Sequence, residues 1–321
     1  MKMKKTISFL AVLCLLTSFF VGCQKEEDFN STPPRPYDEV YEEDIAEIEE
    51  FLNTHYVTID SENNTEFFEI EEGGTETPIS AMPELVYKDL YVESHNVNYK
   101  IYYLNLREGI GESPTKIDSA MFAYKGFSFK KVTTTEIVGG ETVISENTSQ
   151  ILFDEKIAPV WFKLDEVIKG WSEIIPLFKT GTIDYNSSDG TYSYNNFGSG
   201  VMFIPSGLGY FNSSVGNISS YSPLVFNFKL YNQKYRDHDS DRILSKDEYD
   251  FDNNGEIDDT DGDGYPNYLD PDDDGDGYLT KYEIRYEPDP VGNPGVYDYY
   301  DFPSIPTCNG TLKKHLDPSC H

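Results

Sequence analysis

The stretch Val167-Ile168-Lys169-Gly170-Trp171 decides the fold, because it opens the one clear helix within a long run of predicted strands. Asp165 is placed to cap this helix, and Gly181 follows its end. Its predicted apolar face consists of Val167, Ile168, Trp171, Ile174, Ile175 and Phe178. One helix among many strands predicts an α+β domain in which the helix packs on an antiparallel sheet.

The strands around this helix are indicated by composition and alternation. Residues 84–231 are rich in Tyr, Phe, Val and Thr, which favour pleated, half-buried backbone. Leu224, Phe226, Phe228 and Leu230 alternate with Val225, Asn227, Lys229 and Tyr231, and residues 120–127 and 200–204 also have the pattern of strands.

Several pieces of this segment, in order, resemble the FKBP-type peptidyl-prolyl cis-trans isomerase domain. The pieces are Tyr124-Lys125-Gly126, Phe153-Asp154, residues 167–171, residues 204–210, Ile218 and Ser222-Pro223-Leu224-Val225-Phe226. The resemblance implies a bent antiparallel sheet wrapped around a short α-helix, which we place at residues 98–233. An apolar pocket would lie between the sheet and the helix.

The resemblance also implies roles for nine residues. Trp171 would form the pocket floor under a substrate proline ring, Tyr210 would offer its hydroxyl to a substrate carbonyl, and Asp154 would be the acidic residue at the edge. The implied wall residues are Tyr124, Phe153, Val167, Ile168, Ile218 and Phe226. The alternative interpretation is that these aromatic and aliphatic side chains are ordinary core.

The implied activity is isomerisation of X-Pro bonds in protein or peptide clients, by an apolar pocket and without a catalytic cofactor. Residues 127–152 and 182–199 are insertions relative to the family, Lys156 is the nearest match to the basic partner of the edge aspartate, and Phe211 replaces a glycine. These departures keep open a non-catalytic FKBP-like protein-binding role. A glycan-binding surface lipoprotein is the third hypothesis, because the exported chain has 25 tyrosines.

The first residues have the pattern of a bacterial export signal. Three lysines precede an apolar stretch over residues 7–21, which is too short to span a bilayer as a helix. The end of the stretch, Val21-Gly22-Cys23, resembles a lipobox, so residues 1–22 are a predicted signal peptide and Cys23 a predicted lipid-carrying (palmitate) N-terminus. An ordinary secretory cleavage site is the alternative.

These features predict an outer membrane lipoprotein that faces the periplasm or the cell surface. Residues 23–40 are polar and contain three prolines, so they are a predicted tether, and Lys25-Glu26-Glu27 is either linker or a surface-export signal. Residues 41–97 form a predicted helix and strand region, in which Ile45, Ile48, Phe51 and Leu52 give a helix over residues 40–55 one apolar stripe.

The net charge of −32 becomes −35 once residues 1–22, with three lysines and no acid, are removed. Such a surface repels nucleic acid. Of the 57 acidic residues, 18 lie between Asp237 and Glu283. That concentration indicates either a disordered acidic tail or a cation site.

Spacing favours calcium, which takes oxygen ligands from positions 1, 3, 5, 7, 9 and 12 of a loop. Loop one supplies Asp237, Asp239, Asp241, Ser245 and Glu248, with Arg242 where glycine is usual. Loop two supplies Asp250, Asp252, Asn254 and Asp261; loop three Asp259, Asp261, Asp263 and Asp270; loop four Asp272, Asp274, Asp276 and Glu283. The overlap resembles thrombospondin type 3 repeats more than paired EF-hands, and predicts structural Ca²⁺ in residues 234–285.

Two cysteines, Cys308 and Cys320, lie in the predicted C-terminal tail at residues 286–321. An even pair in an exported chain suggests a disulfide. Zinc binding together with His315 or His321 is the alternative.

Overall fold

The computed structural model describes residues 33–321, apart from Gly140, Asn309 and His321. The chain divides into two units, residues 1–34 and residues 35–321. The predicted signal peptide, Cys23 and most of the predicted tether lie outside the described residues. Within the described part of the chain, no helix has the length and hydropathy that crossing a bilayer requires.

The second unit is mixed, with mainly antiparallel sheet and few helices. Its helices and strands are α1 (Tyr37–Thr54), β1 (His55–Ile59), β2 (Thr65–Glu69), β3 (Leu85–Val92), β4 (Val97–Arg107), β5 (Ser119–Val138), β6 (Glu141–Lys163), α2 (Lys169–Ile174), β7 (Thr182–Asn186), β8 (Thr191–Asn195), β9 (Gly198–Ile204), β10 (Leu224–Lys234), α3 (Ser245–Glu248), α4 (Thr280–Glu283), β11 (Arg285–Tyr286) and β12 (Asp298–Tyr299). The main sheet has six strands in the order β3-β4-β9-β10-β5-β6.

Both faces of the main sheet are covered, which explains why β10 is buried over seven consecutive residues. Phe226 and Phe228 point into one core with Trp171 and Ile174 of α2. Val225 points to the opposite face, into a second core with Phe51 of α1 and other apolar residues of α1, β2, β4, β5 and β9. The predicted N-terminal region therefore packs onto the same sheet as the pocket helix.

The sequence prediction for the pocket helix was too long. The α-helix covers only Lys169–Ile174, and a 3₁₀ turn at Ile175–Leu177 with Pro176 follows it. Ile168, in extended conformation, is the N-cap residue. Asp165 does not cap the helix, because its carboxylate instead accepts hydrogen bonds from Arg236 and His238, which lie on either side of Asp237.

The N-terminal helix begins three residues earlier than predicted. α1 starts at Tyr37, so the last residues of the predicted tether over residues 23–40 are helical. Pro36 fixes the extended backbone that precedes the helix, and its carbonyl oxygen accepts a hydrogen bond from the amide of Val40.

The two insertions are both hairpins. The first extends β5 and β6, which pair in register from Ser119 and Lys163 to Val138 and Glu141, with bulges near Tyr124 and Gly126. Gly139 in the connecting turn has φ +65, a conformation that favours glycine. The second insertion forms the short antiparallel pair β7–β8.

The C-terminal region has a small apolar cluster of its own. Ile243, Ile284 and Ile305 are buried together. Cys308 and Cys320 are joined by a disulfide across 12 residues. His315 is buried, and its ring nitrogens have no hydrogen-bond partner among the described residues.

Candidate functional site

Trp171, on the first turn of α2, forms the floor of a largely apolar cavity. Gly170 allows this turn to approach β9, because a Cβ at this position would lie 2.6 Å from the side chain of Ile204. The α-helix gives way to a 3₁₀ turn that contains Pro176, and the indole packs against Phe122 and Phe226 of the sheet. Only 4% of Trp171 is exposed.

Four aromatic rings hold the indole in place. Ring centroids of Phe122 and Phe226 lie 5.1 Å from that of Trp171, those of Tyr124 and Phe162 at 5.4 and 6.0 Å, and all four pairs are edge to face. Edge-to-face packing is the favoured arrangement of aromatic quadrupoles. The floor is therefore rigid, and the face of the indole that is turned away from these contacts is available to a ligand.

The cavity above this floor has a volume of about 500 Å³. All nine residues to which the resemblance assigned roles line it: Tyr124, Phe153, Asp154, Val167, Ile168, Trp171, Tyr210, Ile218 and Phe226. They come from β5, β6, α2 with its preceding loop, the loop after β9, and β10. The structure thus brings together side chains that are up to 102 positions apart in the sequence.

Sequence reasoning missed four lining residues, Phe162, Glu166, Val215 and Gly216. For Phe162 a signal existed, since Val160 and Phe162 alternate with the exposed Trp161 at the end of a strand. Val215 pairs with Ile218 in an isolated bridge that forms the wall opposite α2. No local pattern marks Glu166, Val215 or Gly216, because they reach the cavity only through the course of their loops.

The polar edge of the cavity is centred on Asp154. Its carboxylate accepts hydrogen bonds from the Tyr124 hydroxyl, the Lys156 ammonium at 2.7 Å and the backbone amide of Glu155 at 2.9 Å. The bonds from Lys156 and Tyr124 hold the pKa of Asp154 below its usual value. Burial, together with the same bond to Asp154, raises the pKa of Tyr124.

At neutral pH Asp154 is therefore an anion and Tyr124 a neutral hydrogen-bond donor. Lys156, the basic residue that the sequence analysis named as nearest to the edge aspartate, forms an ion pair with Asp154. The Tyr210 hydroxyl has no hydrogen-bond partner among the described residues, so it can donate to a carbonyl in the cavity.

The four aspartate-rich loops share one backbone geometry. At position six, Arg242, Gly255, Gly264 and Gly277 have φ of +88, +90, +97 and +93. In each loop the amide of this residue donates to the first aspartate, as from Gly277 to Asp272 at 3.1 Å. Arg242 thus adopts the conformation that glycine has in the other three loops, and a register common to all four excludes a structureless acidic tail over these described residues.

Carboxylate oxygens converge within each loop, and the structure brings most of the predicted ligands together. The groups within 4.8 Å are Asp237, Asp239 and Asp241; Asp250, Asp252 and Asp258; Asp259, Asp261 and Asp263; and Asp272, Asp274 and Asp276. Asp258 was missed as a partner in loop two. Asp261, predicted to serve loops two and three, converges with loop three, while Asp270 and Glu283 are in none of these groups. The side-chain amide of Asn254 donates to Asp252 at 3.0 Å.

Several carboxyls of the aspartate loops are buried and lie beside other acidic side chains. Burial, with the nearby Asp241, raises the pKa of Glu248 to about 11. Burial likewise raises the pKa of Asp273 to about 9 and that of Glu283 to about 8. Such carboxyls are stabilised by binding either a proton or a cation, so any metal that binds here must displace protons.

Comparison with known proteins gives two partial similarities. A family model described as BamM C-terminal matches residues 238–315, about a quarter of the chain. This region carries the aspartate loops, and the matching family is neither the thrombospondin type 3 repeat nor the EF-hand that the sequence interpretation suggested. Among curated proteins none matches the chain.

Three solved structures are similar to about half of the chain. A peptidyl-prolyl cis-trans isomerase from Pseudomonas syringae is 22% identical, with TM-score 0.29 over 48% of this chain and 84% of that one. FkpA from Escherichia coli is 23% identical, with TM-score 0.30 over 48% and 54%. The N-terminal domain of FKBP42 from Arabidopsis thaliana is 12% identical, with TM-score 0.30 over 48% and 98%. At these values the likeness carries no functional conclusion.

Proposed function

We propose that the cavity binds the proline ring of an extended peptide and that the protein is a peptidyl-prolyl cis-trans isomerase. The observation that carries the proposal is the indole floor, which edge-to-face contacts hold in place under a mostly apolar lining with a polar edge at Asp154. A proline side chain is a compact apolar ring without a hydrogen-bond donor, which fits such a lining.

The chemistry requires only the groups that line the cavity. Rotation about an X-Pro bond faces a barrier of ~18–20 kcal/mol, because amide resonance must be broken. The twisted amide is less dipolar than the planar one, so transfer to an apolar cavity costs it less. Tyr210 would donate to a substrate carbonyl, while the Asp154 anion and the neutral Tyr124 would fix the polar edge.

A non-catalytic peptide-binding protein is the second candidate, because the hairpins β5–β6 and β7–β8 enlarge the surface of the domain beyond the cavity. A glycan platform has less support. It requires several coplanar exposed rings, and the exposed Tyr185 and Tyr192 are tilted by 41°.

We also propose, from the leader sequence, that Cys23 carries a lipid anchor at the outer membrane. The aspartate loops are proposed to bind structural Ca²⁺, a role for which their common geometry and oxygen-only ligand sets are suited. Ca²⁺ would take no part in the isomerisation.

The test compares the two tryptophans of the chain. Trp171→Ala is expected to reduce the acceleration of cis-trans isomerisation of a proline peptide by the calcium-loaded full chain by about 100-fold or more, equivalent to ~2.7 kcal/mol. Trp161→Ala is the matched control, because Trp161 is 48% exposed and lies outside the cavity.

The outcomes separate the candidates. Acceleration that is lost in the Trp171 variant and kept in the Trp161 variant supports the isomerase. Peptide binding without acceleration, followed through Trp171 fluorescence in a Trp161→Phe background, would replace the enzyme by the binding protein. Neither binding nor acceleration by the folded chain would overturn both.

A further inference from the structure

Loops one and four meet at a second group of carboxylates that no single loop contains. One oxygen each from Asp239, Glu248 and Asp273 lies within 4.8 Å of the others. Asp239 and Glu248 belong to loop one, whereas Asp273 comes from loop four, 25 residues after Glu248. Asp241 of loop one is fully buried beside this group.

Most carboxylate oxygens of this group and of Asp241 are buried without a hydrogen-bond partner. Glu248 is 2% exposed and Asp273 is 1% exposed. Among the described residues, neither oxygen of either side chain has a hydrogen-bond partner, and one oxygen each of Asp239 and Asp241 also lacks one. No lysine, arginine or histidine of the described chain forms an ion pair with any of the four. Buried carboxylates without partners are strongly unfavourable, so the group is stabilised by binding a cation or, without one, by protonation.

Asp273 reaches this group because it lies between two ligands of its own loop. Asp272 and Asp274 converge with Asp276 inside loop four, while the side chain of Asp273 is directed toward loop one. Its backbone amide donates to the buried hydroxyl of Thr280 at 3.2 Å, which fixes this orientation. The 12-residue ligand pattern does not use position two, so it does not reveal the residue.

We infer that Asp273 completes a calcium site in loop one, where it joins Asp239, Asp241 and Glu248, so that one ion links loop one to loop four. The inference rests on the proposal that the segment binds calcium and adds a ligand and an inter-loop connection to it. Calcium suits the site, because every ligand is a carboxylate oxygen and Ca²⁺ accepts six to eight oxygens in flexible geometry.

The test counts calcium ions bound by the calcium-stripped full chain, by equilibrium dialysis. Asp273→Asn is expected to lose one ion, or to weaken one site by about tenfold or more. Asp241→Asn combined with Asp273→Asn should lose the same single ion, whereas Asp276→Asn combined with Asp273→Asn should lose two. Asp247→Asn is the control, because Asp247 pairs with Lys246 at 2.6 Å outside the group.

A second measurement separates a ligand from a merely structural residue. Without calcium, Asp273→Asn should raise the Tm, because a buried unpaired carboxylate is removed; in calcium it should lower the Tm. Any one of three results would overturn the inference. They are a lower Tm of Asp273→Asn under both conditions, unchanged ion binding by Asp273→Asn, and loss of only one ion by the double variant Asp276→Asn with Asp273→Asn. Absence of calcium binding by the unmodified chain would instead overturn the calcium proposal itself.

Discussion

At the scale of single residues, the cavity depends on two kinds of position: a glycine without a side chain, and a residue with an unusual backbone conformation. Gly126 lies in β5 beside the rings of Phe153 and Phe226, which leave no room for a Cβ. Phe211 follows Tyr210 with φ +47, a left-handed conformation in which bulky residues are rare. Its ring stacks on Tyr37 of α1 at 3.9 Å.

We predict that Gly126→Ala narrows the cavity. The new Cβ would lie 2.7 Å from Phe153 and 2.8 Å from Phe226, so both rings must move toward the bound proline. The Kd for a proline peptide should rise about tenfold, which is ~1.4 kcal/mol. Gly200→Ala is the control, since its Cβ would crowd Phe178 and the Leu104 carbonyl outside the cavity. A loss of affinity as large in the control would contradict the prediction.

We predict that Phe211→Gly is more stable than Phe211→Ala. Both lose the buried ring, at ~3 kcal/mol, but alanine retains the left-handed strain that glycine avoids, so the two should differ by about 1 kcal/mol. Urea unfolding measures the order. Phe68 lies at an extended position of β2, so there the alanine variant should be more stable than the glycine variant. If the glycine variant were the more stable one at both positions, backbone strain would not be the cause.

At the scale of secondary-structure elements, α1 is attached to the cavity by one buried carboxylate. Asp44 accepts hydrogen bonds at 2.6 Å from both the amide and the hydroxyl of Ser206. Ser206 begins the 3₁₀ turn that leads to Tyr210. Burial raises the pKa of Asp44 from 3.8 to about 7, although the bonds to Ser206 oppose the rise.

This shift predicts a pH dependence of stability. Because the folded-state pKa is above the unfolded one, the contribution of Asp44 is fully present below about pH 3.8 and is lost as the pH rises toward 7. The stability of the unmodified chain relative to Asp44→Asn should therefore decline over that window, in urea unfolding at several pH values. A constant difference would contradict the shift.

Glu173 in α2 provides the control of opposite sign. It accepts bonds from Lys88 at 2.7 Å and Lys116 at 2.9 Å, and although burial opposes them, these pairs lower its pKa below 4.5. Its contribution is present above pH 4.5 and is lost as the pH falls through the lowered value. The advantage of the unmodified chain over Glu173→Gln should therefore shrink on acidification.

At the scale of the whole molecule, the aspartate loops are connected to the cavity by Asp165. Its carboxylate pairs with Arg236 and, at 3.2 Å, with His238, which flank the first aspartate of loop one. The next residue, Glu166, lines the cavity. A conformational change in loop one can therefore reach the rim of the cavity through the ion pairs that Asp165 forms.

We predict that removal of calcium weakens proline-peptide binding by the unmodified chain about threefold to tenfold, within ~1.4 kcal/mol. Fluorescence titration with and without a chelator measures the change. In Asp165→Asn the pairs with Arg236 and His238 are weakened, so calcium should have little effect on affinity. Equal dependence on calcium in both proteins would exclude this path.

The sequence by itself determined the features that depend on nearby residues: strands with period two, a helix around Trp171, and loops in which aspartates recur within 12 positions. Even there, the helix ended early because Pro176 stops it, and Asp165 formed ion pairs with residues about 70 positions away instead of a cap. The family resemblance added nine residues, which together line the floor, the walls and the polar edge of one cavity.

Only the tertiary structure decided which distant segments meet. It placed α1 on the second face of the main sheet, and Asp273 of loop four among the carboxylates of loop one. These contacts join residues that are remote along the chain, so no periodic pattern in the sequence indicates them. They depend on the course of the chain between the partners and on the burial of both.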